Sequence, residues 1–333
     1  MRVIVAVNQV SEIGFRQTTA LLIASLARKG FEVWATDVGN FSIIANGIAS
    51  EFVVSAISMK SATDSDKVEA VSKANNNAKS IQLSRNDTIL IRTNPGRDLE
   101  RASLHKSFLE FCAAASLSGI QVINDPRRLE LFASKASVAL IDSQYRPPMI
   151  VSQSAEQIAS FVSESGCVCV LKPAVGSRGN NVIKIDSKDH SIRQTIESKF
   201  ANQLVVAQHF VDSASPGDKR VLVLNGSVIA HSGSYAGIHR KPAKGDFRAN
   251  LHAGGSAHEL QLSERELATV EYAAALLNEY RISLAGVDLV GDKIIEFNVF
   301  STGGLYDCIQ FTGINFDDLI VDGLFEDATQ AVS

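Results

Sequence analysis

The chain has 333 residues, of which 45% are hydrophobic and 20% charged, an ordinary balance for a globular protein of two or three domains. A formal net charge of −4 gives no overall basic field, so no nucleic-acid partner is expected. The first residues lack signal-peptide features and the apolar runs end before the ~18 residues of a membrane span, so we expect no membrane partner and a cytoplasmic location.

The first third of the chain alternates short apolar runs with helical segments. Residues 2–7 (RVIVAV) are typical of a buried strand, residues 15–29 carry apolar side chains at helical spacing, and residues 31–36 (FEVWAT) are typical of a second strand. Gly30 stands where a helix commonly ends. A strand, a helix and a strand in this order predict a parallel sheet.

The same sheet is predicted to gain two later strands with a helix between them. The strands lie at residues 88–92 and 120–124, and the helix at residues 105–117. The polar stretch of residues 55–87 resists assignment, and residues 62–80 within it are predicted to be helical or partly mobile.

From about residue 125 the pattern changes to helices and hairpins. Helices are predicted at residues 129–141 and 192–200, and a capping box of Ser263 and Glu266 opens another that runs to Tyr280. Strands are predicted at residues 168–172, 182–186, 204–210, 219–224, 227–231, 283–290 and 294–299. A β-α-β front followed by antiparallel hairpins predicts an α/β domain followed by an α+β region.

Three oxygen-bearing side chains stand out on the last predicted hairpin. Glu296 and Asn298 are two residues apart on one strand and therefore share a face. A three-residue connection at 291–293 would set Asp288 directly opposite Glu296, with Ile295 on the dry face. Two carboxylates and an amide suit Mg²⁺, which takes few protein ligands. A solvated hairpin face with ordinary polar residues is the alternative, because short motifs recur by chance.

Two lysines are candidates for phosphate binding. Lys172 ends a predicted strand and is followed directly by the glycine-containing segment 173–180 (PAVGSRGN). Backbone N–H groups of such a loop can bind phosphate oxygens, and the lysine adds a point charge. Lys135 lies on the predicted helix 129–141. Taken alone, each lysine is explained at least as well by an exposed position on a turn or a helix.

Polar residues between the two lysine segments and the last hairpin suit the rest of a nucleotide. An adenine could be held at the end of a predicted strand, by Gln208, His209 and Phe210, and Asp218 could accept hydrogen bonds from a ribose. Arginines beside a glycine pair suit a carboxylate or phosphate held by two hydrogen bonds. The residues concerned are Arg240, Arg248, Asn250, Gly254 and Gly255. An ordinary strand, a polar turn and a charged loop are the alternatives.

The cysteines are too few and too scattered for a disulfide scaffold. Cys167 and Cys169 lie in a hydrophobic predicted strand with no partner pair nearby in the sequence. We therefore expect them to be buried structural thiols and not zinc ligands.

The order of these signals is itself informative. A lysine, a strand–lysine–glycine loop, Asp-x-Arg, Arg-x-Asn and Asp…Glu-x-Asn follow one another as in the ATP-grasp carboxylate–amine ligases. The second half of the chain resembles bacterial glutathione synthetase in VLKPAVGSRG, AQHFV…GDKRVLVLNG, RKPAKGDFRANLHAGG and AGVDLVGDKIIEFNV. A weaker match covers the β-α-β start, IRTNP and NDP. The resemblance therefore extends over nearly the whole chain and is densest between residues 124 and 301.

This resemblance implies a domain order and a set of ligands. A Rossmann-like pre-ATP-grasp domain that binds substrate would occupy residues 1–124, an ATP-grasp lid subdomain residues 125–203, and a catalytic subdomain residues 204–333. The mobile lid would carry the glycine-rich loop. ATP and Mg²⁺ are the implied cofactors, with Mn²⁺ as a substitute, and a homo-oligomer (a dimer or tetramer) is the implied assembly.

The resemblance also implies a role for each matching residue. The nucleotide would be bound by Lys135, Lys172, Gly176, Ser177, Arg178, Gly179, Gln208, His209, Phe210, Asp218 and Asn298. The metal would be held by Asp288, Glu296 and Asn298. The phosphate and the reacting carboxylate would be surrounded by Arg220, Arg240, Arg248 and Asn250. The substrates would contact Thr18, Thr19, Arg92, Asn94, Gly254, Gly255, Ser301 and Thr302.

The implied reaction joins γ-glutamylcysteine to glycine through an acyl phosphate. Two segments depart from the family pattern, because Arg-Lys-Asp-Pro-Pro is here RTNPG at 92–96, and Asn-Val-Thr-Ser-Pro-Thr is here NVFSTGG at 298–304. A short insertion also lies at residues 231–235. A related ligase for another carboxylate and amine is therefore a second hypothesis. A nucleotide-binding regulator without catalysis is a third, although the intact Lys, Asp, Glu and Asn set argues against it.

Overall fold

The computed structural model of the protein consists of sheets with helices packed against them. The structure describes residues 1–47, 50–74, 78–176, 181–212, 217–249, 251 and 254–330. Within these ranges no helix is both long enough and apolar enough to cross a lipid bilayer.

The N-terminal domain is built on a mixed sheet. Its strands are β1 Arg2–Val7, β2 Glu32–Asp37, β3 Phe41–Ile44, β4 Glu51–Ser58, β5 Lys79–Gln82, β6 Asp87–Ile91 and β7 Gln121–Ile123. Its helices are α1 Thr18–Arg28, α2 Ser65–Lys73 and α3 Ala102–Leu117. Strands β2, β1, β6 and β7 lie side by side in this order and run parallel, which confirms the parallel sheet predicted from the sequence.

Both faces of this parallel sheet are covered. On β1, Val3 and Val5 pack into a core that contains Leu22 of α1, while Ile4 faces the opposite core with Phe108 of α3. A strand buried on both faces needs apolar residues at every position, which explains the unbroken run at the start of the sequence.

The polar stretch that resisted assignment contains antiparallel strands. β4 pairs with β2, β3 and β5, and it alternates buried residues such as Phe52 and Val54 with half-exposed ones. One apolar face suffices for an antiparallel strand near a sheet edge, so the sequence signal is weak. Helix α2 is shorter than the predicted helix at 62–80; it begins where the Asp64 side chain accepts a hydrogen bond from the Lys67 N–H.

The second unit, called the lid subdomain below, is an antiparallel sheet with two helices on one face. Its strands are β8 Met149–Ser152, β9 Val168–Pro173, β10 Ile183–Asp186 and β11 Val205–His209, in the order β10-β9-β11-β8. The helices that cover it are α5 Ala155–Ser165 and α6 Ile192–Lys199. Because β11 pairs with both β9 and β8, the sheet extends beyond residue 203, where the sequence placed the end of this unit.

The helix predicted at 129–141 is wrong as a single element. Helix α4 spans Pro126–Ala133, and a separate 3-10 helix spans Lys135–Leu140. Between them Ser134 is extended, and its hydroxyl accepts a hydrogen bond from the Ala136 N–H. The Lys135 N–H donates to the Ala174 carbonyl at 2.8 Å, which ties this break in the helix to the end of β9.

The C-terminal subdomain is a further antiparallel sheet. Its strands are β12 Asp218–Leu224, β13 Ser227–Val228, β16 Gly237–Lys241, β17 Ser256–Glu259, β18 Leu284–Val290 and β19 Lys293–Asn298; β14 Ala230–His231 and β15 Ser234–Tyr235 form a small separate hairpin over the predicted insertion. The helices are α7 Glu264–Glu279, α8 Leu305–Thr312 and α9 Phe316–Gln330. The predicted capping box of Ser263 and Glu266 opens α7 as expected.

Contacts at the end of β7 and along α1 help to join the first domain to the C-terminal subdomain. At the end of β7, the Asn124 amide donates to the carbonyls of Leu284 and Val299 at 2.8 and 2.9 Å and accepts from the Leu284 N–H at 2.9 Å. The last helix, α9, packs against α1, where Arg28 forms ion pairs of 2.7 Å with both Asp317 and Asp318. The chain therefore returns to its first domain at its end.

Replacing Asn124 with alanine is expected to destabilise the protein. The substitution leaves the buried N–H of Leu284 and two carbonyls without their partner, which costs roughly 1–3 kcal/mol of unfolding free energy. Urea denaturation followed by circular dichroism measures the change. Asn278→Ala, on the exposed face of α7, is the control and is expected to change the free energy by no more than about 0.5 kcal/mol. Equal stability of the two variants would contradict this role of Asn124.

Candidate active site

A cavity of about 810 Å³ lies where the N-terminal domain, the lid subdomain and the C-terminal sheet meet. Small-molecule sites usually measure roughly 300–1,000 Å³, so this one can hold a ligand of nucleotide size with room beside it. Among the described residues, eight lysines and arginines and six aspartates and glutamates line it, which gives a positive formal balance. Such a cavity favours anionic ligands.

Strands β18 and β19 bring the three predicted metal ligands together. Asp288 pairs with Glu296 and Gly286 pairs with Asn298 in the antiparallel register. Asp288, Glu296 and Asn298 all line the cavity. The hairpin therefore presents two carboxylates and an amide to one space, as its sequence pattern predicted.

A two-residue turn, 291–292, replaces the predicted three-residue connection of this hairpin. The shorter turn leaves β19 with one extra residue, Ile295, which a β-bulge beside Asp288 accommodates. Asp288 therefore still lies opposite Glu296. The prediction that Ile295 lies on the dry face is therefore wrong. Ile294 occupies the core position with no exposed surface, and Ile295 lines the cavity.

The two predicted phosphate-binding lysines approach the same strand from different parts of the chain. Lys135 Nζ donates to the Gly176 carbonyl at 2.6 Å and lies 3.5 Å from Glu296 Oε1. Lys172 Nζ donates to the Ile295 carbonyl at 2.9 Å. Both lysines are less than one-tenth exposed, so their charges act in a poorly solvated space.

Burial lowers the pKa of Lys172 to about 8. The neighbouring charge of Lys135 lowers this pKa as well, whereas Glu296 and Asp288 oppose the shift. The ammonium group is thus held in a place where its charge is costly, and an anionic ligand would relieve that cost.

Two arginines surround Asp288. Arg220 donates from Nε and Nη2 to its two oxygens at 2.8 and 2.7 Å, and Arg240 Nη2 adds a third bond of 2.7 Å. Arg240 Nε also donates to Asp218 at 2.5 Å. Burial opposes ionisation of Asp288, but the two guanidinium groups outweigh burial and lower the pKa of this carboxyl. For Asp218, burial prevails over Arg240 and raises the pKa.

Two glycines permit this close packing. Gly217 has a φ of +107°, and a Cβ there would lie 2.0 Å from the Arg240 carbonyl oxygen, so only glycine can precede Asp218. A Cβ on Gly286 would lie 2.2 Å from the Thr302 hydroxyl. The small residue therefore lets the segment that follows β19 lie directly over β18.

The residues present fit a hard divalent cation. Asp288, Glu296 and Asn298 offer oxygen atoms, the ligands that Mg²⁺ prefers. The Asn298 Nδ2 atom is buried with no hydrogen-bond partner in the described part of the chain. Because amide nitrogen and oxygen exchange places by rotation, the Asn298 oxygen can face a cation from that position.

One end of the cavity combines an apolar wall with a buried acceptor. Val170, Phe210 and Ile295 supply apolar surface, and the Gln208 Oε1 atom is buried with no partner among the described residues. An aromatic base with an amino group suits this combination. His209, which was also predicted to bind the nucleotide, does not line the cavity, because side chains alternate along β11 and that of His209 faces away from it.

Sequence reasoning missed Lys184 and Phe247 at this end. Lys184 Nζ lies 3.4 Å from the centre of the Phe210 ring and 4.9 Å from that of Phe247, and all three residues line the cavity. Lys184 lies outside the segments that carry the family resemblance and Phe247 was given no role within its segment, so only the folded chain reveals their approach to Phe210.

The other end of the cavity is formed by the N-terminal domain and the segment after β19. The predicted substrate residues that line it are Thr18, Thr19, Asn94, Ser301 and Thr302, together with Arg16 and Arg97, which sequence reasoning missed. The hydroxyls of Thr18 and Thr302 are buried and have no partner among the described residues. Cations and unpaired hydroxyls suit a ligand that carries carboxylates.

Arg92 lies beneath this end and does not line the cavity. It donates to the Thr19 hydroxyl at 3.3 Å and to the Thr302 carbonyl at 2.9 Å, so it supports two lining residues from below. Burial lowers the pKa of Arg92 to about 10.

The remaining predicted residues divide into three groups. Arg248 lines the cavity and forms an ion pair of 2.8 Å with Asp246. Gly254 and Gly255 do not line the cavity. The others lie outside the described residues, and they are Ser177, Arg178, Gly179 and Asn250.

Solved structures share this fold over almost the full chain. The D-cycloserine synthetase DcsG superposes with a TM-score of 0.65 at 15% identity, covering 98% of this chain and 99% of its own. The ATP-grasp ligase PsnB, complexed with a precursor variant, Mg and ADP, superposes with a TM-score of 0.60 at 14% identity over 98% of this chain and 99% of its own. The fold and the lysine–carboxylate cavity together define an ATP-grasp protein.

Sequence comparison gives the family. Residues 1–130 match the N-terminal domain of prokaryotic glutathione synthetase, and residues 136–313 match its ATP-grasp domain. Glutathione synthetase from Neisseria meningitidis is 25% identical over 94% of each chain, and that from Vibrio vulnificus is 32% identical over 74% of this chain and 73% of its own. The chain belongs to the prokaryotic glutathione synthetase family and is an ATP-dependent ligase.

The lowered pKa of Lys172 predicts how nucleotide affinity changes with pH. Below pH 8 the ammonium is charged and would attract a phosphate group; above pH 8 the free protein loses this proton, so the Kd for ADP is expected to rise up to tenfold per pH unit. Isothermal titration between pH 7 and 9.5 measures this. Lys172→Arg, which keeps its charge, is the control and is expected to remove the dependence. A flat wild-type profile would contradict the prediction.

Proposed function

We propose that this ligase joins the carboxylate of γ-glutamylcysteine to the amine of glycine, converting ATP to ADP and phosphate and producing glutathione. The observation that carries the proposal is the continuity of the cavity, which joins the lysines and carboxylates at the β18–β19 hairpin to the cationic, hydroxyl-lined end under the N-terminal domain. A donor carboxylate and a nucleotide phosphate would meet in that space. Glutathione synthetases that match over almost the whole chain support the same substrates.

Lys135 and Lys172 would bind the phosphate groups. Their ammonium groups now donate to the carbonyls of Gly176 and Ile295, which are neutral partners. Charge-assisted bonds to phosphate are roughly twice as strong, so a nucleotide would replace these contacts. As the donor carboxylate attacks the terminal phosphorus, both lysines neutralise charge that spreads over the transferred oxygens. The product of this step is an acyl phosphate.

Asp288, Glu296 and Asn298 would hold Mg²⁺, which supplies Lewis-acid neutralisation of phosphate oxygens when bound. Arg220 and Arg240 fix the orientation of Asp288 through three hydrogen bonds, a support that ligating carboxylates commonly need. Mn²⁺ also accepts oxygen ligands and is expected to replace Mg²⁺.

In the second step the amine of glycine would attack the acyl carbon and phosphate would leave. The tetrahedral oxyanion needs a positive group nearby, and Arg248 and Arg240, which line the cavity, would supply it. The donor itself would be held by the cations Arg16 and Arg97 and by the hydroxyls of Thr18 and Thr302.

A second function is an amide ligation between another carboxylate and another amine. The segments that depart from the family pattern, residues 92–96 and 298–304, contribute to the donor end of the cavity, because Asn94 and Ser301–Gly304 line it. The changes therefore fall where substrate specificity would be set, whereas the phosphate and metal residues are intact.

Phosphate release by the purified protein with ATP, Mg²⁺, dipeptides and amines tests these functions. Release that requires both γ-glutamylcysteine and glycine supports glutathione formation; release with another pair supports the second function. Nucleotide binding without turnover on any pair would overturn both. Glu296→Gln is expected to lower the rate about a hundredfold or more, because several kcal/mol of charge stabilisation depend on the metal. Glu279→Gln, exposed at the end of α7, is the matched control and is expected to keep the wild-type rate.

Thr302→Val tests the donor end of the cavity. The hydroxyl it removes is buried and has no partner among the described residues, so the fold is expected to lose no stability, while the KM for the carboxylate donor is expected to rise about fivefold through loss of a hydrogen bond. Thr93→Val is the matched control, because the Thr93 hydroxyl is likewise buried without a partner in the described chain but does not line the cavity. An unchanged donor KM for Thr302→Val would remove this residue from the donor site.

The family resemblance also supports a cytoplasmic homo-oligomer. Cysteines in the described chain are free thiols, as a reducing compartment would keep them. The N-terminal domain exposes Leu99 and Leu117, at 63% and 80%, which a subunit contact would cover. Light scattering after size exclusion would give the dimer or tetramer mass, and a monomer would contradict the assembly.

A further inference from the structure

Two cysteines and a histidine converge behind the cavity, on the helix-covered face of the lid sheet. One ligand-type atom from each of Cys167, Cys169 and His209 lies within 4.8 Å of the other two. Cys169 is buried, whereas Cys167 and His209 are partly exposed, so the cluster can be reached from solvent. None of these three residues lines the cavity.

The strand register produces this convergence. Cys169 of β9 pairs directly with His209 of β11, and Cys167 precedes Cys169 by two positions, so all three side chains share a face. Sequence inspection found no partner for the cysteine pair because the partner lies on a strand that begins only at residue 205. The expectation of purely structural thiols rested on that apparent lack of a partner.

Neighbouring contacts hold the three groups in place. The hydroxyl of Ser165, the last residue of α5, accepts hydrogen bonds from the Cys167 N–H at 3.2 Å and from Cys169 Sγ at 3.6 Å. The His209 ring packs against Phe161 of the same helix, with ring centres 5.5 Å apart. The cluster therefore joins the end of α5 to the two central strands of the lid sheet.

The types of coordinating atom determine which cation the cluster can bind. Two sulfurs and an imidazole nitrogen are ligands for soft and borderline cations such as Zn²⁺, and poor ligands for Mg²⁺ or Ca²⁺. In a tetrahedral site with bonds of about 2.3 Å to sulfur and about 2.0 Å to nitrogen, the donor atoms lie about 3.5–3.8 Å apart. Separations within 4.8 Å need an inward movement of about 1 Å, which side-chain rotation supplies.

We propose that Cys167, Cys169 and His209 form a binding site for one thiophilic divalent cation, Zn²⁺ by its chemistry, with water in the fourth position. The two thiols lose their protons to solvent as the cation binds. The opposite faces of β9 and β11 carry Lys172 and Gln208, so the cation would brace the strands that hold the nucleotide end of the cavity. The site is separate from the oxygen-ligand cluster at β18–β19.

Cobalt substitution tests the proposal directly, because thiolate-to-Co²⁺ charge transfer absorbs in the near ultraviolet and reports sulfur ligation. Reduced wild-type protein is expected to bind one Co²⁺ with this absorption and to release it to Zn²⁺. Cys167→Ser and Cys169→Ser are each expected to lose about half of the absorption per bound ion. His209→Asn is expected to weaken Zn²⁺ binding at least about tenfold while keeping both sulfurs.

Matched controls separate this site from adventitious binding. His190→Asn replaces an exposed histidine of the same subdomain, and Cys308→Ser replaces a free cysteine outside it; both are expected to bind Zn²⁺ as the wild type does. Zn²⁺ is also expected to raise the Tm of the wild type and of both controls, but not of Cys167→Ser or Cys169→Ser. Absence of the charge-transfer band, or Zn²⁺ affinity equal to that of the wild type in all three ligand variants, would overturn the proposal.

Discussion

Charge buried at the β18–β19 hairpin is the constraint on which the rest of the structure depends. Three strands of the C-terminal sheet contribute to a compensated set: Asp218 and Arg220 from β12, Arg240 from β16 and Asp288 from β18. Removing water from any one of these groups alone costs several kcal/mol, so they are tolerable only together. The order β16-β12-β18 in the C-terminal sheet and the glycine that precedes Asp218 bring these side chains within hydrogen-bond distance.

Several polar groups that line the cavity lack the hydrogen-bond partners that the charged groups of this set have. Gln208, Asn298, Thr18 and Thr302 each carry a buried polar atom with no partner among the described residues, and all four line the cavity. Buried polar groups are normally paired, so a group of unpaired atoms around one space indicates that a ligand completes them. Lys172, whose pKa burial lowers, follows the same logic for charge. The fold gives up local stability where it binds substrate, as functional sites commonly do.

Much of this arrangement could be read from the residues. The parallel strands of the first domain follow from unbroken apolar runs, and the position of Asp288 opposite Glu296 follows from alternation along two strands. Three features could not be read. The strands within residues 55–87 have one weak apolar face, the break before Lys135 depends on a contact with Ala174, and the turn of Ile295 into the cavity depends on a bulge. Each is decided by partners distant in sequence, as is the convergence of Cys167 and Cys169 with His209.

The return of α9 to α1 has a mechanical consequence. Arg28 and Lys29 form ion pairs with three aspartates of the final helix, Asp317, Asp318 and Asp322, and Asn124 joins the first domain to the C-terminal subdomain at a second place. These contacts hold the first domain and the C-terminal subdomain together as two walls of the cavity. We therefore expect the cavity to open for a nucleotide by movement of its third wall, the lid sheet, about the segments that connect this sheet to the other two.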